Sequence, residues 1–422
     1  MAGFGKRQED SVKKKIALGI VLSACLISGM ALSAEAKIKV TLWGLSDQKV
    51  FLEPILADFM KSNPGIEAEF SPYSIDALKQ ALKVAASSKT LPDLWYTWGG
   101  SLGSFYVENG MTADLTKIAQ DRNWAAKYNK AALALCTYGG KLSGVPYHLQ
   151  AMGVFYPKDL MAKYKLTPPK TFSEFEANLK TLKAAKVTPL AFAGKNGWHL
   201  MRLTEVVLEH YAGPKLHDEL LGLKASWNDP AVIKTFDKLK EWSEAGYFPK
   251  GFVELDPQEV ETNFYQGAMA YNIEGPWWDS NMLSNGFDPA TQDFFPFPTD
   301  QKPLRSSSFA EMFQVSNQSD PAQLDAAIKL AEYITGVETV AKYADTYGAP
   351  ALAKAPASSK SPHVLPLLDT AAKGNFLIGD QALPQEVVQK LFEATDKVLL
   401  KMWTSKEAAA SIQTAVDAYK KK

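Results

Sequence analysis

The sequence predicts an α/β protein built around open, mostly parallel sheet. Three observations carry that prediction. Strand-like and helix-like segments alternate from residue 38 onward, the early strands are short and β-branched, and neither an internal repeat nor a low-complexity linker interrupts the 422 residues. The stretch IKVTLW (38–43) reads as a buried strand, VFLEPILADFMKSN (50–63) as an amphipathic helix and IEAEFSPY (66–73) as the next strand. A helix at 75–88 and a strand at 93–97 complete a βαβαβ start, which forces right-handed crossovers and a parallel sheet. Ligands bind such sheets at the carboxyl ends of the strands, here residues 43–47 and 96–100.

Beyond residue 150 the texture turns mainly helical. Apolar periodicity predicts helices at 157–165, 172–186, 201–212, 231–245 and 257–267, with short strands at 189–193, 268–273 and 293–298. A strand at 306–316, a helix at 321–335 and helices near 363–371, 384–401 and 405–420 follow. The length favours two domains or more, and without a tether two lobes would be joined by several short crossings.

The N-terminus reads as a processing signal. Lys13, Lys14 and Lys15 precede an apolar run from Ile16 to about Leu32, and Ala34-Glu35-Ala36 gives a small-x-small cleavage pattern. Cleavage between Ala36 and Lys37, export and a periplasmic location are expected. In a rival reading, Leu22-Ser23-Ala24-Cys25 places a lipid on Cys25 and holds the chain on the outer face of the membrane. The apolar LISGMAL that follows argues against it. With Cys25 removed, Cys136 is the only cysteine, so no internal disulfide can form. Within KAALALCTY it reads as a small buried hydrophobe. Forty-six Lys and Arg balance 46 Asp and Glu, and the chain beyond residue 36 carries about −2. That balance lacks the basic stripe of a nucleic-acid binder. The five histidines have no metal-ligand spacing, and neither metal nor cofactor is expected.

The tryptophans carry the functional signal. Trp198 (KNGW), Trp277 and Trp278 (EGPWW), Trp43 (TLWG) and Trp98 (PDLWYTWGG) fall in Gly- and Pro-marked segments and not in the middle of amphipathic helices. An indole at a strand end or in a loop presents a flat apolar face to a ligand. With amides and carboxylates around it, that face suits a sugar, whose two sides are C–H and whose rim is hydroxyl. Trp95, Trp124, Trp227, Trp242 and Trp403 read as ordinary core.

At KLSGVPYHLQAMGVFYPKDLM (141–161) the chain resembles the extracellular solute-binding proteins of ABC sugar importers, the maltose-binding-protein-like family. Gly144, Pro146 and Tyr147 match its Gly-x-Pro-Tyr turn, and Tyr156, Lys158, Asp159 and Leu160 its strand end. AMAYNIEGPWW (268–278) is similar to the family's strand ending in Gly-Pro-Trp, and LPDLWYTWGG to its Pro-Asp strand with an aromatic end. ITGVETVAKYADTYGAPALAKA (334–355) is similar to its late helix and Gly-x-Pro crossing. The resemblance runs from about Lys37 to the C-terminus. It implies a two-lobed periplasmic-binding-protein fold, with an N-lobe of 37–146 plus 303–348 and a C-lobe of 150–298 plus 353–422. Crossings near 147–150, 299–303 and 348–352 would let the lobes close on a ligand like a hinge. It further implies a monomer that captures a carbohydrate and is recognised, when closed, by the importer's transmembrane subunits, which are its only link to the membrane.

Residue by residue, Trp277 is the strongest candidate, because the Gly-Pro-Trp match and the strand-end placement both favour stacking. Successive strand residues face opposite sides, so one of Trp277 and Trp278 is expected to be buried, with Trp277 facing the cleft and Trp278 the weaker candidate. Trp198 and Trp98 are expected beside it. Trp43 and Asp47 would supply an aromatic and an acceptor after the first strand, although Asp47 equally fits an N-cap of the helix near Val50. Tyr147 and Gln150 lie on the first crossing, where an amide offers both donor and acceptor to a polyol. His148 between them is expected to pack at the hinge. Glu274 either reaches the ligand or caps a strand end. Glu311, an acid in the apolar SSSFAEMFQV, needs a partner, either a ligand hydroxyl or Arg305.

Two other functions fit parts of this pattern. A glycosidase needs a carboxylate pair about 5 Å apart or somewhat more, which Asp47, Glu274 and Glu311 could form, but no other catalytic motif is present. A non-sugar ligand is the second. An anion would want more Arg and Lys in the candidate loops, a peptide would want a strand edge, and a cation would accept a box of Trp43, Trp277, Asp47 and Glu311.

Overall fold

The computed structural model describes residues 37–317 and 320–422, so the expected leader, with Cys25 and the residues up to Ala36, lies outside the described residues. The βαβαβ start forms as the sequence pattern requires. Strand β1 (Ile38–Leu45) pairs in parallel with β2 (Ile66–Tyr73) along its whole length and with β3 (Leu94–Trp98) at Leu42 and Trp43. Helices Lys49–Ser62 and Ile75–Ser88 make the crossovers and bury Leu52, Ile55, Phe59, Leu78 and Leu82 against the sheet. A two-residue hairpin, β4 (Thr137–Tyr138) and β5 (Lys141–Leu142), leads into β6 (Gly144–Ala151).

A second sheet is made of β7 (Gly153–Pro157), β8 (Thr188–Leu190), β9 (Met269–Glu274) and β10 (Gln292–Phe295), in the order β10-β7-β9-β8. The chain then returns through β11 (Ser306–Val315), which pairs antiparallel with both β3 and β6 and, at its first residues, parallel with β12 (Asn375–Leu377). All ten residues of β11 are buried, as expected for a central strand covered on both faces.

The described residues build two large apolar cores, one under each sheet. The chain changes core three times. Tyr147 belongs to the first and Met152 to the second, Phe309 to the second and Met312 to the first, and Leu352 to the first while Leu367 lies in a satellite of the second. The lobes are therefore joined by three crossings, the first at the end of β6 and the second within β11, and not by one tether. Cys136 is fully buried just after the helix Lys130–Leu135. Among the described residues no helix is long and apolar enough to cross a membrane.

Three local differences from the sequence pattern reposition side chains. Strand β1 continues to Leu45, so Trp43 lies inside it. The helix expected from 201 begins at Trp198, behind Gly197 at φ +76°, and runs to Leu221 with a break at Gly213. A Cβ at Gly197 would sit 2.4 Å from the ring of Phe392, so both the left-handed turn and the close packing call for glycine. Trp277 does not end a strand but starts the helix Trp277–Ser284, with Pro276 as its N-cap.

Candidate ligand-binding cleft

The carboxyl ends of β1 and β3, the middles of β6 and β11, and the N-terminal turns of the helices at Trp198, Pro257 and Trp277 surround one cavity of about 990 Å³. That is the upper end of the usual size for a small-molecule site. Six of the expected residues meet there: Asp47, Trp98, Gln150, Trp198, Trp277 and Glu311.

Four do not reach it, each for a visible reason. Trp43, inside β1, packs on Tyr73 with ring centroids 5.2 Å apart. Tyr147 points to the opposite pleat of β6, stacks on the His148 ring at 3.7 Å and lies 4.4 Å from Phe313 in the first core. Trp278 is 0% exposed, with Tyr265 and Phe264 around it and its Nε1 donating to Gln292 Oε1 at 2.7 Å. Helical geometry, not strand alternation, turns it inward beside Trp277. Glu274 is fully buried beneath the cleft and neither contacts the cavity nor caps a strand end freely.

Glu274 organises the aromatic wall from below. Its Oε2 accepts from Arg202 Nη1 and from Trp277 Nε1, both at 2.8 Å, while Asn272 Nδ2 donates to Oε1 at 3.2 Å. Burial alone would raise the carboxyl, but Arg202, His199 and Trp277 outweigh it and hold Glu274 below its usual range. His199 completes the cluster. The Ala193 N–H donates to Nδ1, so the ring proton sits on Nε2 and points at Asn272 Oδ1, 3.0 Å away. Burial lowers the His199 pKa, in keeping with that neutral tautomer.

Arg202, held by Glu274, lies over both indoles, 4.7 Å from the Trp198 ring and 5.0 Å from the Trp277 ring. Trp277 also packs on Phe309 at 5.6 Å. The close fold of the chain here depends on Gly275, where a Cβ would lie 2.1 Å from the Trp277 ring. Trp98 lines the cavity from the end of β3, with Lys79 Nζ 4.8 Å from its ring.

The polar floor comes from β6 and β11, where His148 lies opposite Glu311 in register. Glu311 Oε2 meets His148 Nδ1 at 2.8 Å and accepts from Gln150 Nε2 at 3.0 Å, while His148 Nε2 reaches the Tyr347 carbonyl at 2.8 Å. The partner of Glu311 is thus His148 and not Arg305, which pairs with Glu209 and Asp218 far from the floor. Among the described residues four polar atoms on the cavity wall are buried without a protein partner: Gln48 Oε1, Gln150 Oε1, Trp198 Nε1 and the Tyr265 hydroxyl, with Gln150 itself 2% exposed and Trp198 8%. Asp47 sits in the short turn Ser46–Gln48 and does not cap the following helix, whose N-cap is Gln48. Its carboxylate is open to the cavity, yet the crowding walls and the nearby Glu311 push it up to about 6. Glu261, in the helix Pro257–Tyr265, is raised well above its usual value by desolvation first and then by Glu274.

Sequence reasoning missed Arg202, Glu261 and, as a cleft residue, His148. Two of them carried a usable signal. His148 and Gln150 are two apart in a strand and share a face, and Arg202 follows Trp198 by one helical turn once the helix start is set correctly. Among the described residues no group of His, Cys, Asp and Glu is arranged to hold a metal ion.

Comparison with known proteins agrees with this architecture. The chain is 29% identical over 243 residues to an uncharacterized ABC transporter extracellular-binding protein of Pyrococcus horikoshii, covering 56% of this chain and 55% of that one. It spans somewhat over half the length of the first curated relatives it matches. A longer match, 24% identical over 371 residues, covers 83% of this chain and 84% of the "Multiple sugar-binding protein" of Streptococcus mutans. A solved structure described under xylan utilization by the thermophilic bacterium Caldanaerobius polysaccharolyticus superposes with a TM-score of 0.81 at 26% identity, over 89% of this chain and 99% of that one. The profile of one family matches residues 55–366. With the two-lobed α/β fold and its large cleft, this shows that the chain belongs to the bacterial extracellular solute-binding proteins.

Proposed function

We propose that this protein captures a carbohydrate, an oligosaccharide of two or more rings, outside the cytoplasm and delivers it to the transmembrane subunits of an ABC importer. The observation that carries the reading is the joining, in one cavity of about 990 Å³, of three indoles with an amide and carboxylates. Trp198 and Trp277 offer apolar faces around Arg202, Trp98 a third, and Gln150, Asp47 and Glu311 the hydrogen-bond partners that ring hydroxyls need. The names of the relatives support it, since several are described as sugar-binding. Capture proceeds without turnover in this reading, and the periplasm is the compartment.

Closure would bend the chain at 147–150, 309–312 and 348–352. The middle hinge is taken at 309–312, beyond the 299–303 expected from sequence, because the side chains change core there. The test is titration of the exported protein with a panel of mono- and oligosaccharides, read by tryptophan fluorescence and thermal shift. A saturable spectral change with a raised melting temperature and intact sugar supports capture. Shortened oligosaccharide would mean hydrolysis, and a folded protein silent across the panel would remove the sugar reading.

A further inference from the structure

Each Lys and Arg that lines the cavity is matched to a carboxylate, while Lys79 stands behind the wall over the Trp98 ring. Arg202 is bound by Glu274 at 2.8 Å, Lys195 pairs with Asp256 at 3.2 Å, and Lys49 with Glu53 at 3.5 Å. The acids are not balanced in return. Asp47, Asp76 and Glu261 line the same wall with no Lys or Arg salt bridge among the described residues, and Glu311 has no Lys or Arg either, only His148 and the Gln150 amide. Asp47 follows the end of β1 and Glu261 lies in the helix Pro257–Tyr265, so carboxyl groups without a Lys or Arg partner face the cavity from both lobes. Gln150 adds a buried carbonyl oxygen that lacks a donor.

Building on the carbohydrate reading, we propose that the cleft selects a saccharide carrying a protonated amine, of the glucosamine type, with its ammonium group held between Asp47, Glu261 and Glu311. An ammonium group brings three donors and no acceptor, which suits a wall of carboxylate and amide oxygens. A hydroxyl brings one donor and no charge, and a uronic acid would add a further anion to a wall that already repels itself. That repulsion is visible in the upward shift of Asp47 by Glu311 and of Glu261 by Asp47, each beneath a larger contribution from desolvation. The same cation would also draw the two lobes together, since its partners stand on both.

Calorimetric titration of the exported protein with matched ligands tests this. The glucosamine, N-acetylglucosamine, glucose and glucuronate members would be used both as monosaccharides and as short β-linked oligomers, with spermidine as a cation that is no sugar. The amine-bearing sugar should bind about tenfold more tightly than its neutral twin, and its binding should weaken as salt is added. In Asp47→Asn and Glu261→Gln, whose circular dichroism checks folding, the amine-to-neutral ratio should fall towards one. A neutral sugar that binds as well as the amine, or a ratio unmoved in both variants, would overturn the selection while leaving carbohydrate capture in place. Binding of spermidine without any sugar, or of no sugar at all, would overturn both readings.

Discussion

Arg202 shows how much one residue can organise. It holds the buried Glu274 carboxylate with one side and supports two indoles with the other. Removing it leaves that carboxylate buried without its cation, so Arg202→Met should cost about 3–5 kcal/mol of stability by denaturant unfolding. The double variant Arg202→Met with Glu274→Met should recover a large part of that loss, because an apolar pair of similar volume needs no compensation. Trp277→Ala should weaken carbohydrate binding by about 2 kcal/mol, some thirtyfold in Kd, with the fold intact by circular dichroism. A third prediction concerns Glu205, buried in the helix Trp198–Leu221, with the Gly379 N–H 2.9 Å from Oε2 and Oε1 unpartnered. Burial pushes it from 4.5 up to about 8. The folded protein therefore holds this proton more tightly than the unfolded chain, and stability is lost as pH rises through the window from 4.5 to about 8. Glu205→Gln removes a charge penalty that exists only at the high end. Its melting temperature should exceed the parent's more at pH 9 than at pH 5. At this scale the residue types were legible, but the partners were not. Glu311 clearly needed a partner, yet only the β6–β11 register shows it to be His148 and not Arg305.

At the scale of elements, the sequence was clearest where period and punctuation agreed. Strands β1, β2 and β3 with their two crossover helices follow directly from apolar patterning, and Asp256-Pro257 or Thr404 with Glu407 mark helix starts in the usual chemistry. The two starts that mattered most for the cleft lack it. Gly197 and Pro276 precede Trp198 and Trp277 without any side-chain cap, so nothing local distinguished a helix start from a loop or a strand end. The same absence put Arg202 out of register and made Trp278 a candidate. Short β12 was missed because three residues carry no period, and it owes its place to pairing with β11. The Glu274–Trp277 junction yields a prediction of its own. Gly275→Ala places a methyl group where the indole ring now lies, so the ring must swing away. Sugar affinity should fall as in Trp277→Ala, and the tryptophan emission maximum should shift to the red even without ligand.

For the whole molecule, the decisive feature is β11. Its first half lies on one core and its second on the other, and it joins β3 to a partner 219 residues away through Trp95 Nε1 and Gln314 Oε1 at 3.1 Å. The two lobes therefore share a structural member, and denaturant unfolding followed by fluorescence and by circular dichroism should give coincident transitions and not two steps. Residues 37–305 expressed alone should fail to show a cooperative transition. Such wiring also sets the order in which the chain can fold. Here the first sheet cannot close until the segment at 306–315 arrives, three-quarters of the way along, and contacts so distant in sequence form slowly. The late central strand thus makes closure of the first lobe one of the last steps of folding, since β3 and β6 meet only through it.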